Sequence, residues 1–220
     1  MRNNFLFIFY LSFLTVNAQL TVDNNFPNDS PVYLVNNILL GDGIEANNHV
    51  YQGDSIQIGF FNGASSNLGL NSGIVMSTGD ISILDPNFIG FGDFIDVNPA
   101  VTDPDLLDVA NSVPTLIGQN FIVQDINDVA VLEFDFIPSS DTVTFRYVFG
   151  SQEYFAFENS QYNDVFGFFI SGPGIVGPYA SPPGFPNGSI NIATIEDNNG
   201  VIMPVTISSV NETVNAEYFV

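Results

Sequence analysis

The chain has 220 residues, 45% of them hydrophobic and 14% aromatic, which is ample apolar material for one large all-β domain. It carries 24 acidic residues against two basic ones, a formal net charge of -22, so it lacks the basic footprint that nucleic acid or an anionic membrane surface requires. It contains no cysteine, which excludes disulfides, thiol catalysis and thiolate metal sites.

In chain order, residues 1–18 read as a signal peptide. Arg2 sits beside the free amine, an apolar run follows from Phe5 to Val16, and Val16-Asn17-Ala18 forms a small-residue cleavage site. The run is too short to span a bilayer well. Cleavage after Ala18 leaves a chain starting at Gln19 whose only basic residue is Arg146. No later stretch is apolar enough to cross a membrane, so the expectation is export to the extracellular space or the cell surface, without direct membrane insertion.

The first element predicted after the leader is a helix, with Ser30 as N-cap, Pro31 at the first helical position, Leu34, Val35, Ile38 and Leu39 at helical spacing, and Gly41 as the stop. Strands follow at Val50–Tyr51, at Ser55–Phe61 and at Gly73–Thr78. The second is expected to turn Ile56, Ile58 and Phe60 inward and Gln57 and Gly59 outward. Residues 80–120 hold neither period, which predicts a long excursion with one helical turn at Pro104–Ala110 capped by Asp103.

A hairpin is predicted next. Leu132, Phe134 and Phe136 alternate with Glu133 and Asp135, residues 138–141 (PSSD) turn the chain, and Thr142–Phe149 returns. That register sets Glu133 opposite Arg146 as a structural ion pair, with Asp135 as the diagonal partner. Val165–Ser171 is apolar at nearly every position, as a strand covered on both faces would be, and Gly172-Pro173-Gly174 stops it. A Pro/Gly-rich loop runs to Gly188, then strands are expected at Ile190–Ile195 and Val201–Val210, with a last apolar run at Ala216–Val220. That run has no turn or polar cap, as expected of a domain truncated at its C-terminal end. The fold class that results is mainly β: an antiparallel β-sandwich, jelly-roll-like, with one N-terminal helix and long loops, residues 19–220 forming a single domain.

Five blocks carry a family resemblance: VNNILLGDGI at 35–44, SGIVMSTGD at 72–80, VLEFDFIP at 131–138, FRYVFGSQEY at 145–154 and NDVFGFFISGPG at 163–174. With them the chain resembles the choice-of-anchor L domain family, exported bacterial surface proteins named for the varied anchoring tails that follow a common domain. The resemblance implies surface location, further strands beyond residue 220 and an anchoring tail that this chain lacks; it implies no chemistry. Where the family typically reads SEEY, this chain has Ser151-Gln152-Glu153-Tyr154.

For catalysis, His49 is the single histidine and has no Gly-x-Ser-x-Gly elbow beside it, so a Ser/His mechanism finds no support. Calcium is the cofactor the composition points to, because it takes hard oxygens from carboxylates, amides and carbonyls. Glu153, Glu158, Asn163 and Asp164, with Gln152 and Asn159, supply such groups in the loop between the two apolar runs; Asp93, Asp96, Asp103 and Asp105 form a weaker second set. Neither has the spacing of an EF-hand loop, so the signal is compositional, and ordinary turn-forming Asn and Asp residues give the same pattern. Aromatic residues among amides at Tyr154–Tyr162 and Pro178–Phe185 suit contact with a glycan or a surface protein. The sequence thus reads as a non-enzymatic adhesion or binding module, with a structural spacer of a larger surface protein and a carbohydrate-active hydrolase as alternatives.

Overall fold

The computed structural model describes residues 19–41, 43–86, 88 and 101–220. The signal peptide and the candidate ligands Asp93 and Asp96 lie outside the described residues. The fold is mainly antiparallel β with few helices. Strand β1 (Gln19–Asp23) pairs with β3 (Ile58–Ser65), which pairs with β4 (Ser72–Met76). Three two-stranded sheets join β2 (Glu45–Gln52) to β5 (Val131–Ile137), β6 (Phe169–Ile170) to β7 (Ile190–Asn191), and β8 (Thr194–Glu196) to β9 (Ile202–Pro204). Among the described residues the sheets are small and unclosed.

The helix predicted at Ser30 is present. Ser30 Oγ accepts from the Tyr33 amide 3.3 Å away, Pro31 opens α1 (Pro31–Leu34), and the chain continues without a break as a π-helical turn, Val35–Leu39. Leu34 and Val35 are fully buried on the face turned toward β3 and β4. A second helix replaces the single turn expected at Pro104. Helix α2 (Pro104–Leu116) is 13 residues long, with Asp103 capping the Asp105 and Leu106 amides at 2.9 and 3.0 Å. It persists because Val109, Ala110 and Val113 lie three and four residues apart and are buried, and because Asn111 ties it to the Val123 backbone in both directions at 2.9 and 3.0 Å.

Two strand predictions are overturned. Residues 131–137 do not form a hairpin with 142–149. The strand β5 pairs with β2, so Glu133 faces Val50 and Asp135 faces Asn47. The expected Arg146–Glu133 register is therefore not adopted, and the Arg146 guanidinium donates to the Gly69 carbonyl at 2.8 Å instead. The β2–β5 ladder shifts between Asn47 and Val50, where Asn48 takes a positive φ of 52° and donates to Asp135 Oδ2 at 2.6 Å. In the same way Val205–Asn211 is not a continuation of β9 but a buried turn, described below.

Gln57 also reverses its expected direction. Residues Ser55–Gln57 form a 3₁₀ turn closed by a capping box with Asp54, which swings the Gln57 side chain into the core. There its Oε1 accepts from the Asp54 amide at 2.7 Å, and its Nε2 donates to the carbonyls of Thr78 and Asp128 at 3.0 and 2.9 Å. One fully buried amide thus joins three segments. Replacing it by the similarly sized Met strands those carbonyls, each at about 1–3 kcal/mol. Gln57→Met is expected to lower the urea midpoint at an unchanged slope; an unaltered midpoint would show that the three segments are held by other contacts.

Candidate functional site

The candidate site is the loop of residues 151–164, and it rests on a buried polar turn. Val205–Asn211 is buried throughout, with Thr206, Ser208, Ser209 and Asn211 fully so. Buried hydroxyls need partners, and here they supply one another. Ser209 Oγ donates to the Pro204 carbonyl at 2.6 Å and accepts from the Thr206 amide at 2.8 Å, while Thr206 Oγ1 accepts from the Ser209 amide at 3.1 Å. Asn211 closes the turn, donating to the Ile207 carbonyl and accepting from the Thr213 and Val214 amides.

Three bonds seat the loop on this turn. The Asn159 amide donates to Ser208 Oγ at 3.0 Å, the Ser208 amide donates to Asn163 Oδ1 at 3.2 Å, and the Ile207 amide donates to the Asp164 carbonyl at 3.1 Å. Asn163 also donates to the Ala110 carbonyl of α2 at 3.3 Å, and it is 3% exposed. Its amide is thus committed to holding the loop between α2 and the turn.

Within the loop, Ser151 Oγ donates to Asp164 Oδ2 at 2.6 Å and accepts from the Glu153 amide at 2.9 Å. The Glu153 carbonyl receives the Ala156 and Phe157 amides, which makes residues 153–157 one tight turn. Phe155 sits in that turn with φ at 71°, a region a bulky side chain seldom occupies, and Glu158 Oε1 accepts its amide at 3.2 Å. The result is outward display: Phe155 is 68% exposed, Tyr162 54% and Phe157 42%. Phe157 and Tyr162 meet edge to face at 5.4 Å, and Phe219 packs against both Tyr154 at 5.0 Å and Phe155 at 6.2 Å.

Two carboxylates of this loop, Glu153 and Asp164, are electrostatically uncomfortable. Burial pushes the Glu153 carboxyl above its ordinary range, and the nearby Asp164 charge adds to that shift. Asp164 is exposed as a residue, yet the protein packed around its carboxyl raises it by desolvation as well; the Ser151 hydrogen bond opposes the rise. Glu153 Oε2 is buried with no hydrogen-bond partner. Burial raises the Tyr154 phenol too, with Glu158 and Asp164 as lesser contributors.

Of the candidate calcium ligands, Glu153 and Asp164 are brought together, whereas Glu158 and Asn163 are engaged as described. Asp103 caps α2, and Asp105 Oδ2 accepts from the Ala180 amide at 2.9 Å, away from the loop. Among the described residues no group of three or more His, Asp or Glu side chains converges as a metal cage. His49 stacks on Phe134 with centroids 6.4 Å apart at the β2 bulge. Phe155 lies in the aromatic run Tyr154–Tyr162 that the sequence singles out, but its positive φ is signalled by no pattern, since it is imposed by the turn and by Glu158 three residues on.

The architecture defines a mainly antiparallel, strongly acidic β domain with an aromatic-bearing loop fixed to its core. The choice-of-anchor L domain model matches residues 21–220, and the chain belongs to that family of surface-associated domains. The family is not a known enzyme family, and among the described residues no helix is long and apolar enough to cross a membrane. No curated protein and no solved structure matches the chain.

Raised carboxyl pKa values mean that the folded state holds protons more tightly than the unfolded chain, so these two groups oppose folding once both are ionised. Their penalty is present above the folded pKa values and is relieved as pH falls through them toward the ordinary values of 4.5 and 3.8. Glu153→Gln and Asp164→Asn are expected to raise the melting temperature at neutral pH and to narrow the gap between neutral and mildly acidic melts. A wild-type gap kept in both variants would assign the pH dependence to other acids.

Proposed function

We propose that this domain is a surface-displayed, non-enzymatic binding module whose contact surface is the aromatic rim of the 151–164 loop. One observation carries the reading: Phe155 is held at a positive φ and yet is largely exposed. Such a conformation costs on the order of 1–3 kcal/mol in a non-glycine residue and persists only where surrounding structure over-determines it. Here the determinants are the Glu158 bond and the turn at Glu153, and what they present is an apolar ring among amides and hydroxyls. Aromatic faces stack on the apolar faces of sugar rings, and Asn and Gln hydrogen-bond hydroxyls, so a neutral glycan fits this chemistry better than an anion does.

The test is a screen of the purified protein against immobilised neutral glycans, with Phe155→Gly alongside. Glycine tolerates the backbone, so this variant is expected to melt at the same temperature or higher while losing the glycan signal. Absence of any glycan signal in the wild type would turn the reading to a structural spacer.

Calcium at Glu153 and Asp164 is a second reading, favoured by the unpartnered Glu153 Oε2 beside the Asp164 charge. The remaining ligands would be carbonyl and amide oxygens and water. Thermal unfolding in millimolar calcium against chelator, with magnesium as control, is expected to show a calcium-specific rise that Asp164→Ala removes. Identical melts would return both acids to an unliganded role.

A further inference from the structure

The sequence contains three Asn-Gly pairs, Asn62-Gly63, Asn187-Gly188 and Asn199-Gly200. An asparagine followed by glycine can modify itself, because with no Cβ on the second residue its backbone nitrogen is able to reach the side-chain carbonyl carbon. The fold treats the three pairs differently. Asn62 lies in β3 between β1 and β4, where its Oδ1 accepts the Ala64 amide at 3.1 Å and the Gly63 nitrogen donates to the Asn71 carbonyl at 2.9 Å. Asn199 is held in the Asp197 turn: its Nδ2 donates to Asp197 Oδ2 at 3.2 Å, and the Gly200 nitrogen donates to the Asp197 carbonyl at 3.0 Å. In both pairs the reacting groups are committed, and bringing them together costs the bonds they make. Asn187 is exposed, in the turn that follows Phe185. The bonds that hold its stretch are made by other atoms. The Asn187 carbonyl accepts the Gly177 amide at 3.0 Å, and Ser189 exchanges backbone bonds with Tyr179 at 3.0 and 3.3 Å. They pin the chain on both sides of the pair and use neither the Asn187 side chain nor the Gly188 nitrogen.

We propose that Asn187 is a site of spontaneous covalent modification, the one of the three pairs that the fold leaves reactive. The Gly188 nitrogen attacks Asn187 Cγ. The new C–N bond closes a cyclic imide, and the side-chain nitrogen leaves as ammonia with the proton that Gly188 gives up. Water then opens the ring to an aspartate, or to its isomer in which the backbone runs through the side chain. Either product adds a negative charge at the lip of a hollow of about 130 Å³ that Ile175, Phe185 and Pro186 help to line. The isomer also lengthens the backbone by one methylene where two glycines cross. A Cβ on Gly177 would clash with the Ser189 carbonyl, and one on Gly188 with the Gly177 carbonyl. That crossing has no slack for a longer chain, so the isomer breaks the Tyr179–Ser189 bridge and the folded chain favours ordinary aspartate more than the unfolded chain does. The inference goes beyond the binding reading and uses no part of the 151–164 loop.

The purified protein is held in warm, mildly alkaline buffer, once folded and once in urea, and the conversion of each Asn-Gly pair is followed by peptide mapping with mass detection. In urea the three pairs present the same reacting atoms and are expected to convert at similar rates. In the folded chain Asn187 is expected to lead Asn62 and Asn199 by about tenfold or more, a barrier difference of about 1.4 kcal/mol. Asn187→Gln, whose longer side chain closes the ring far more slowly, is expected to melt with the wild type and to lose the first acidic species seen on charge-resolved separation. Equal rates at the three pairs in the folded chain would overturn the proposal. So would a lead by Asn62 or Asn199, or an Asn187→Gln protein that gains acidic species as fast as the wild type.

Discussion

The need to satisfy buried hydroxyls and amides at Val205–Asn211 governs the arrangement around it. A turn that places two serines, a threonine and an asparagine out of reach of water is tolerable only if each finds a partner, and most find one inside the turn itself. The groups left over, Ser208 Oγ and the amides of Ile207 and Ser208, point to the 151–164 loop and bond Asn159, Asp164 and Asn163. The loop is thereby fixed by polar contacts, with Asn163 relaying the constraint to α2 through Ala110. A long loop held this way can carry strain at its tip, which is where Phe155 is found.

The same rigidity explains how the loop keeps two raised carboxyls. Glu153 and Asp164 flank the Ser151 hydroxyl, and the backbone bonds of the loop leave them little freedom to part. In a chain with a net charge of -22 the surrounding field gives no relief, because the one arginine among the described residues is committed to Gly69. The acids of other loops act differently. Asp103 caps a helix, Asp54 caps a 3₁₀ turn, and Asp197 receives the Val201 and Asn199 amides, which hold its carboxyl below the ordinary range.

The sequence was most legible where a residue acts on its immediate neighbours. Ser30-Pro31 and Asp103-Pro104 announce helix starts, and both start where those pairs stand. The family blocks were also legible, because they are local strings. Pairing was not. Alternation at 131–137 shows that one face is covered, but the choice of β2 over the adjacent 142–149 depends on contacts that no short window contains. At 205–210 the β-branched run suggests a strand, and local side-chain hydrogen bonds from Thr206 and Ser209 prevail over that propensity. The candidate site was legible as a cluster of oxygen donors. The roles of its members were not, since Asn163 and Glu158 serve the backbone and only Glu153 and Asp164 remain as a pair.

The seat of the loop follows it in the chain, with Ser208 lying 49 residues after Asn159, and this orders assembly. Residues 151–164 leave the ribosome well before Ser208 and Phe219, so the bonds and ring contacts that define the loop cannot form until those later residues are made. The early elements α1, β3 and β4 have their partners near in sequence and can close at once. The aromatic rim at Phe155 thus acquires its shape later than α1, β3 and β4, and it stays mobile until residues 208–219 have been delivered.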